Sequence, residues 1–342
     1  MTSDELYIQR TLELAELGRG KVSPNPLVGC VIVKEGKIIG EGYHQKHGEA
    51  HAEVNAINSV ANKDDLKGAT LYVNLEPCAH HGHTPPCADL ITQFPFQKVV
   101  ICNTDPNPLV QGKGIDKIKS AGIHVVVGVL EARGLQFNRR FFTFMMEKRP
   151  YIILKWAETS DGFIAKEDFT SKWISNEFSR KITHKWRAEE DAVMIGKNTA
   201  TYDNPKLNVR DWSGEDPVRI VIDKNLQLPE SLDIFDPLKK TLCYNFIRQK
   251  QVGLLEYVKI DPTRKIVESV LADLFHRKIQ SLIVEGGTQL FQGFIDLNVW
   301  DEIRAFKCEK EFKTGIKRPE FHGTLINIDD MLGDKLCTYL RI

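Results

Sequence analysis

Nowhere in the 342 residues is there a run of 18 or more apolar residues, so no transmembrane helix is expected. Charge of one sign is not in excess either: Lys plus Arg and Asp plus Glu number 46 each. That balance demotes a nucleic-acid coat and a polybasic membrane binder, both of which carry a basic surplus. The opening Met1-Thr2-Ser3-Asp4-Glu5 lacks the basic and apolar regions of a secretion signal, so the expected compartment is cytoplasmic. Cysteine is sparse and odd in number, at seven, which in a reducing compartment reads as free thiols or metal ligands rather than a disulfide framework. There is no low-complexity tract and neither half repeats the other. A hydrophobic share of 42% with 27% charge is the mix of an ordinary globular protein, and at roughly 150 residues per domain the length suggests two domains.

The pattern along the chain is α/β. Residues 4–18 carry Leu6, Leu12, Leu14, Ala15 and Leu17 at helical spacing, ended by Gly18 and Gly20. Val28–Lys34 and Lys37–Tyr43 read as strands around Glu35-Gly36, and 50–61 as a helix. Thr70–Leu75, Lys98–Asn103 and Ile123–Val127 read as strands, with helices over Ala88–Phe94 and Gly114–Ser120. Near Arg149-Pro150 the register restarts, and the residue before Pro is biased toward extended geometry. Strands follow at Tyr151–Trp156, Ala192–Lys197, Val218–Asp223, Thr241–Asn245 and Ser281–Glu285, with helices near 176–189, near 264–276 and from Thr288. Strands alternating with helices predict layered sheets.

His51-Ala52-Glu53, then Pro77-Cys78, then Cys87 form the most informative constellation. Zinc takes both N and S donors, and three protein ligands leave a fourth position for water. On an ideal helix Glu53 would stand about 200° from His51, poorly placed as a ligand on the same face but able to approach that water as a proton shuttle. A lone His or Cys would read as a surface imidazole or a buried small side chain; H-x-E, P-C and a second Cys together point to a metal.

The zinc deaminase signature is H-x-E with P-C-x-x-C. Here eight residues, Ala79 to Pro86, separate the cysteines. The run from Leu75 to Cys87, with Ser23-Pro24-Asn25-Pro26-Leu27-Val28-Gly29-Cys30 upstream and Asp105-Pro106-Asn107-Pro108 downstream, resembles the deaminase half of the bifunctional riboflavin biosynthesis family. The full family name is diaminohydroxyphosphoribosylaminopyrimidine deaminase / 5-amino-6-(5-phosphoribosylamino)uracil reductase. The resemblance implies a cytidine-deaminase-like α/β/α layered domain over 1–148. It implies His51, Cys78 and Cys87 as ligands of Zn2+ and Glu53 as the proton shuttle. Asn25, His44, Asp105 and Asn107 would border the pyrimidine, and His80 and His83 would lie near the substrate phosphate. On the residues alone, Asn25 is accounted for by a Pro-Asn-Pro turn, and His44 by a solvated imidazole. His83 stands where the family usually has Lys or Arg, which weakens a phosphate contact at neutral pH.

The second half has no G-x-G-x-x-G after a strand, which argues against a Rossmann site; Gly112-Lys113-Gly114 lies in the first half and is too short a signal. Ser281 to Thr288 reads as a strand ending in Gly286-Gly287 and then a helix, a geometry that lets backbone approach a phosphate but equally fits a plain turn. Lys155, Asp161-Gly162, Ser171-Lys172-Trp173-Ile174-Ser175, Arg187 and Gly196 through Arg210 resemble the reductase half of the same family. This implies a dihydrofolate-reductase-like α/β domain over 149–342 that uses NADPH. Trp173, Thr199, Asp203, Gly286 and Gly287 would contact the cofactor; Ser171, Arg187, Leu207, Arg210 and Glu285 would contact substrate; Lys155 would be catalytic. Paired Arg187 and Arg210 suit a phosphate ester, since guanidinium forks bind its oxygens bidentately. Glu158 replaces a small residue of the family's pattern and is expected beside the cofactor, where its bulk and charge would lower NADPH affinity unless the side chain points away.

The expectation is therefore a two-domain enzyme acting on a phosphorylated pyrimidine: zinc-dependent deamination, then reduction of the ribosyl group to ribityl. No nucleic-acid or membrane partner is expected, and the resemblance implies a homo-oligomer through the second domain. The alternatives are a deaminase of another nucleoside or of tRNA with a degenerate reductase half, and a non-catalytic zinc-stabilised binding protein. The long Cys78–Cys87 interval and the reductase-like half argue against the first; an open metal site would oppose the second.

Overall fold

In a computed structural model the residues described are 1–80, 85–108, 110–169 and 174–342. They form two compact units, Met1–Lys148 and Arg149–Ile342.

In the first unit α1 (Ser3–Glu16) begins at a capping box: Thr2 Oγ1 accepts from Glu5 N–H, and Glu5 Oε2 accepts from Thr2 N–H at 2.7 Å. The strands β1 (Gly29–Lys34) and β2 (Lys37–Tyr43) form a hairpin whose turn residues Glu35 and Gly36 have φ of 50° and 76°, the left-handed pair that matches strand twist. Then come α2 (Ala52–Ser59), β3 (Thr70–Leu75), α3 (Cys87–Thr92), β4 (Lys98–Asn103), α4 (Lys113–Ser120), β5 (His124–Val127), α5 (Glu131–Phe137) and α6 (Arg139–Glu147). The sheet order is β2-β1-β3-β4-β5, antiparallel about β1 and parallel from β3 to β5. Side chains alternate across the sheet. Ile32, Leu71, Val73, Val99 and Ile101 face Ala56, Ala88 and Ile118 of α2, α3 and α4. Val31, Val33, Tyr72 and Val100 face Ile8 and Leu14 of α1. The result is an α/β/α sandwich. A Cβ on Gly42 would meet Ala56 N at 2.3 Å, so this glycine lets α2 lie directly on β2 and fixes the height of the helix N-terminus over the sheet.

The second unit contains β6 (Tyr151–Thr159), β7 (Phe163–Ala165), α7 (Glu177–Glu189), β8 (Ala192–Gly196), α8 (Lys197–Asp203), β9 (Val218–Ile222), β10 (Thr241–Asn245), β11 (Lys250–Val252) and β12 (Leu255–Lys259). It continues with α9 (Ile266–His276), β13 (Ser281–Val284), α10 (Thr288–Asp296), β14 (Glu302–Cys308), β15 (Ile316–Lys317), β16 (Gly323–Met331) and β17 (Asp334–Arg341). One sheet of ten strands runs β11-β12-β10-β9-β8-β13-β6-β14-β17-β16, and β7 pairs with β15 apart from it. From β12 through β14 the strands are parallel, and both faces of that stretch are buried, by α9 and α10 on one side and by α7 and α8 on the other. The carboxyl ends of β9, β8 and β13 open together, where ligands bind in open parallel sheets.

Candidate active sites

In the first unit the metal constellation closes up. His51 is the N-cap of α2, with extended φ and ψ of −73° and 164°, so it stands just outside the helix rather than two residues along it from Glu53. Glu53 is set apart from His51 not by an angle around one helix but because only Glu53 is helical. Cys87 opens α3 behind Pro86, and Cys78 lies in the segment after β3. Cys78 Sγ lies 3.6 Å and Cys87 Sγ 3.3 Å from His51 Nδ1. All three donor atoms fall within 4.8 Å of one another. Zinc–nitrogen and zinc–sulfur bonds at a tetrahedral angle put N and S about 3.5 Å apart, so the set fits a tetrahedral zinc corner.

The loop is held by its own backbone. Cys87 N–H donates to Cys78 Sγ at 3.3 Å, and Ala88 N–H donates to Cys78 O at 3.1 Å. A hydrogen bond from the Cys87 thiol, with His51 and then the Cys87 N–H adding, holds Cys78 down at about 4, well on the thiolate side. Glu53 is buried at 3% exposure, and burial pushes its carboxyl up. That is the setting of a group that trades a proton.

Asn25 and His44 meet each other, and His44 is buried rather than solvated. His44 Nδ1 donates to Ala50 O at 3.1 Å, so its bare Nε2 accepts from Asn25 Nδ2 at 3.0 Å. His44 is buried and burial pushes it down, toward neutral. Its ring meets that of His51 edge-on at 5.4 Å. Asp105 is buried and is pushed up to about 7, chiefly by burial, while Asn107 N–H donates to its Oδ1 at 2.8 Å. His80 Nδ1 is buried with no hydrogen-bond partner among the described residues. His83 lies outside the described residues.

Sequence reasoning missed three supports. Asn74 and Asn138 both hold Leu27: Asn74 Nδ2 and Asn138 Nδ2 donate to Leu27 O at 2.9 Å, and Leu27 N–H donates to Asn138 Oδ1 at 3.0 Å. They fix the peptide that follows Asn25-Pro26. Glu76 is buried, and its carboxylate accepts backbone N–H groups of the segment from Asp105 to Ile115. Asn138 lies 111 residues from Leu27, which local pattern cannot show; Glu76 stood in plain view in the Leu75-Glu76-Pro77-Cys78 run.

In the second unit the expected residues gather around a cleft of 1580 Å³. Lys155, Arg187, Thr199, Asp203, Leu207, Arg210, Glu285, Gly286 and Gly287 all line it. A cleft of this size exceeds the usual range for one small ligand. Gly286 is packed so closely that a Cβ would meet Thr199 Oγ1 at 2.7 Å, and Gly287 has φ of 69° as N-cap of α10. The turn is thus a backbone cradle at a helix N-terminus, suited to a cofactor phosphate. Ser171 and Trp173 lie outside the described residues.

Two readings are corrected. Glu158 does not line the cleft. Trp156 Nε1 donates to its Oε2 at 2.7 Å, and Lys307 and Arg318 approach it at 3.9 and 3.7 Å. Its charge is met by two cations and an indole N–H on the strand face that it shares with Trp156. Arg187 is not a free fork. Its Nε and Nη2 donate to Glu285 Oε1 and Oε2, both at 2.7 Å, and Nη1 donates to Asn208 O at 3.2 Å. Burial pushes Glu285 up, but the charge and hydrogen bonds of Arg187, with Lys155 nearby, outweigh it and hold the carboxylate ionised. Lys155 is pushed down by burial, with its Nζ 5.7 Å from the Phe306 ring centre.

A model of the cytidine and deoxycytidylate deaminase zinc-binding region matches residues 1–103, and a model of the RibD C-terminal domain matches residues 150–308. The riboflavin biosynthesis protein RibD of Aquifex aeolicus is 41% identical over 320 residues, 92% of this chain and 89% of that one. The chain belongs to the RibD family. The RibD protein of Escherichia coli is 36% identical over 325 residues, 90% of this chain and 88% of its own. Acinetobacter baumannii RibD superposes with a TM-score of 0.91 at 33% identity, over 99% of both chains. A Thermotoga maritima diaminohydroxyphosphoribosylaminopyrimidine deaminase / 5-amino-6-(5-phosphoribosylamino)uracil reductase also gives 0.91, at 36% identity over 99% of both. As a RibD protein this chain is a bifunctional deaminase and reductase of riboflavin biosynthesis, with a cytidine-deaminase-like fold followed by a dihydrofolate-reductase-like one. A zinc ion and a nicotinamide cofactor go with the two regions, and its substrates are small molecules. Among the described residues no helix is long and apolar enough to cross a membrane.

Proposed function

We propose that residues 1–148 deaminate 2,5-diamino-6-(ribosylamino)pyrimidinone 5′-phosphate and that residues 149–342 reduce the ribosyl group of the product with NADPH. The observation that carries the reading is the convergence of His51 Nδ1, Cys78 Sγ and Cys87 Sγ, with buried Glu53 in the first turn behind them. Zinc held by those three residues supplies Lewis acidity that makes water a nucleophile at neutral pH. Glu53 takes the proton from water and delivers it to the ring and to the departing amine, so ammonia leaves. Asn25, fixed by neutral His44, presents its amide to the pyrimidine edge, and Asp105 and Asn107 border the ring. His80 faces the phosphate, which would satisfy its unpartnered Nδ1, and His83 would serve the same group.

In the second unit NADPH supplies the hydride for C1′ of the opened sugar. The Gly286-Gly287 cradle, Thr199 and Asp203 bind the cofactor, together with Trp173. Glu285, oriented by Arg187, holds sugar hydroxyls; Arg210, Ser171 and the backbone at Leu207 take the phosphate; Lys155 handles the proton at the reacting carbon's neighbour. A cytoplasmic, reducing setting suits thiolates such as Cys78 and Cys87, which must not oxidise to one another. Edge strand β16, with Leu325, Ile326 and Ile328 exposed, favours assembly of like chains through the second unit.

The test is incubation of the purified protein with the diaminopyrimidine phosphate, followed by mass spectrometry. Without NADPH the product should have exchanged an amino group for oxygen; with it, two further hydrogens should appear. Absence of the first change refutes the deaminase reading, and absence of the second refutes the reductase one.

A further inference from the structure

The carboxylate of Glu76 is 3% exposed and is met by four backbone N–H groups and, among the described residues, no cationic side chain. Oε2 accepts from Asp105 at 3.2 Å and from Gly112 at 3.1 Å. Oε1 accepts from Gly114 at 3.0 Å and from Ile115 at 3.2 Å. Gly114 and Ile115 open α4, whose first N–H groups need acceptors and whose dipole favours an anion. The contact is close-packed as well as charged: a Cβ on Gly114 would lie 2.0 Å from Pro77 O. Glu76 N–H in turn donates to Asn103 O at 2.9 Å. One side chain therefore joins the peptide two residues before Cys78 to both ends of the segment that bears Asp105 and Asn107.

We infer that Glu76 is a positioning residue for deamination, setting the Asp105–Asn107 segment against the metal loop without itself touching substrate. The inference rests on the reading in which Asp105 borders the pyrimidine. An isosteric Glu76→Gln exchange turns one acceptor into a donor facing two N–H groups, so either the Asp105 end or the α4 end must move. Displacements of this kind cost catalysis about 10–100-fold.

The test is a double-mutant cycle on the zinc-loaded full chain with Glu76→Gln, Asp105→Asn and both together. For Glu76→Gln the expected result is full zinc content, unchanged NADPH oxidation on pre-deaminated substrate, and a deaminase loss of about 10–100-fold carried mainly by a raised KM. The double variant should be no worse than the poorer single one. Losses that multiply overturn the inference, as does a loss of zinc that accounts for the loss of rate. If Asp105→Asn alone is silent while Glu76→Gln is impaired, Glu76 does not act through Asp105, and the placement of Asp105 at the substrate fails beneath it. Should Glu76→Gln not fold, Glu76→Asp takes its place in the cycle: it keeps the charge but is one methylene too short to reach both ends.

Discussion

Buried charge is where single residues matter most in this molecule. Arg187 and Glu285 are 10% and 7% exposed at the side chain and make two bonds of 2.7 Å. Such a pair adds little net stability, but losing one partner strands the other. Arg187→Met should therefore cost about 3–5 kcal/mol in urea unfolding of the second unit, most of it recovered by adding Glu285→Leu. Equal losses in the single and double variants would contradict this. His184 beside them is buried at 2% and pushed below its ordinary 6.5, first by burial and then by Arg187 and Arg210. A depressed imidazole means that the unfolded chain binds the proton first, so stability is full above pH 6.5 and falls as pH drops below it. His184→Gln should flatten the fall in Tm between neutrality and pH 5, and an unchanged slope would show that His184 is not its source. Legibility at this scale was uneven. The donor set His51, Cys78 and Cys87, which the structure brings together, was visible because zinc chemistry demands those residue types. The direction of Glu158 was not, because Tyr151–Thr159 is buried on both faces and shows no alternation from which to read a side.

Among the elements, the turn between β13 and α10 puts Glu285, Gly286 and Gly287 on the wall of the cleft. Its first glycine leaves no room beside Thr199 on α8. Gly286→Ala should raise KM for NADPH about tenfold or more, since a Cβ there would meet Thr199 Oγ1 at 2.7 Å and displace the turn. Deamination should be unaffected. If Gly286→Ala binds NADPH normally, the cradle is not where the cofactor lies. The strands and helices up to residue 296 were largely legible from their apolar spacing, because most are half-buried or fully buried runs bounded by turn residues. Helices α5, α6 and α8, strands β7, β11 and β12, and the last strands were not. In β14 the buried charges Glu302 and Arg304 break the apolar pattern; their cost is met by a 2.6 Å pair and by the Tyr151 hydroxyl donating to Glu302 at 2.9 Å. In β16 the exposed face leaves no alternation to find.

For the whole molecule, the two activities draw on different residues. The metal-donor set found among the described residues lies in Met1–Lys148, and the cleft lies in Arg149–Ile342. Removing zinc with a chelator should abolish ammonia release and leave NADPH oxidation on pre-deaminated substrate intact, with added zinc restoring the first. Loss of both together would place a required metal in the reductase. The most direct measurement is on Glu53→Gln, which keeps the shape of the first site but cannot carry the proton. Ammonia release should fall by about 10²–10⁴-fold, while NADPH oxidation on pre-deaminated substrate runs at the rate of the unaltered chain. Unchanged ammonia release, or equal loss of both reactions in a folded and zinc-loaded protein, would contradict the account.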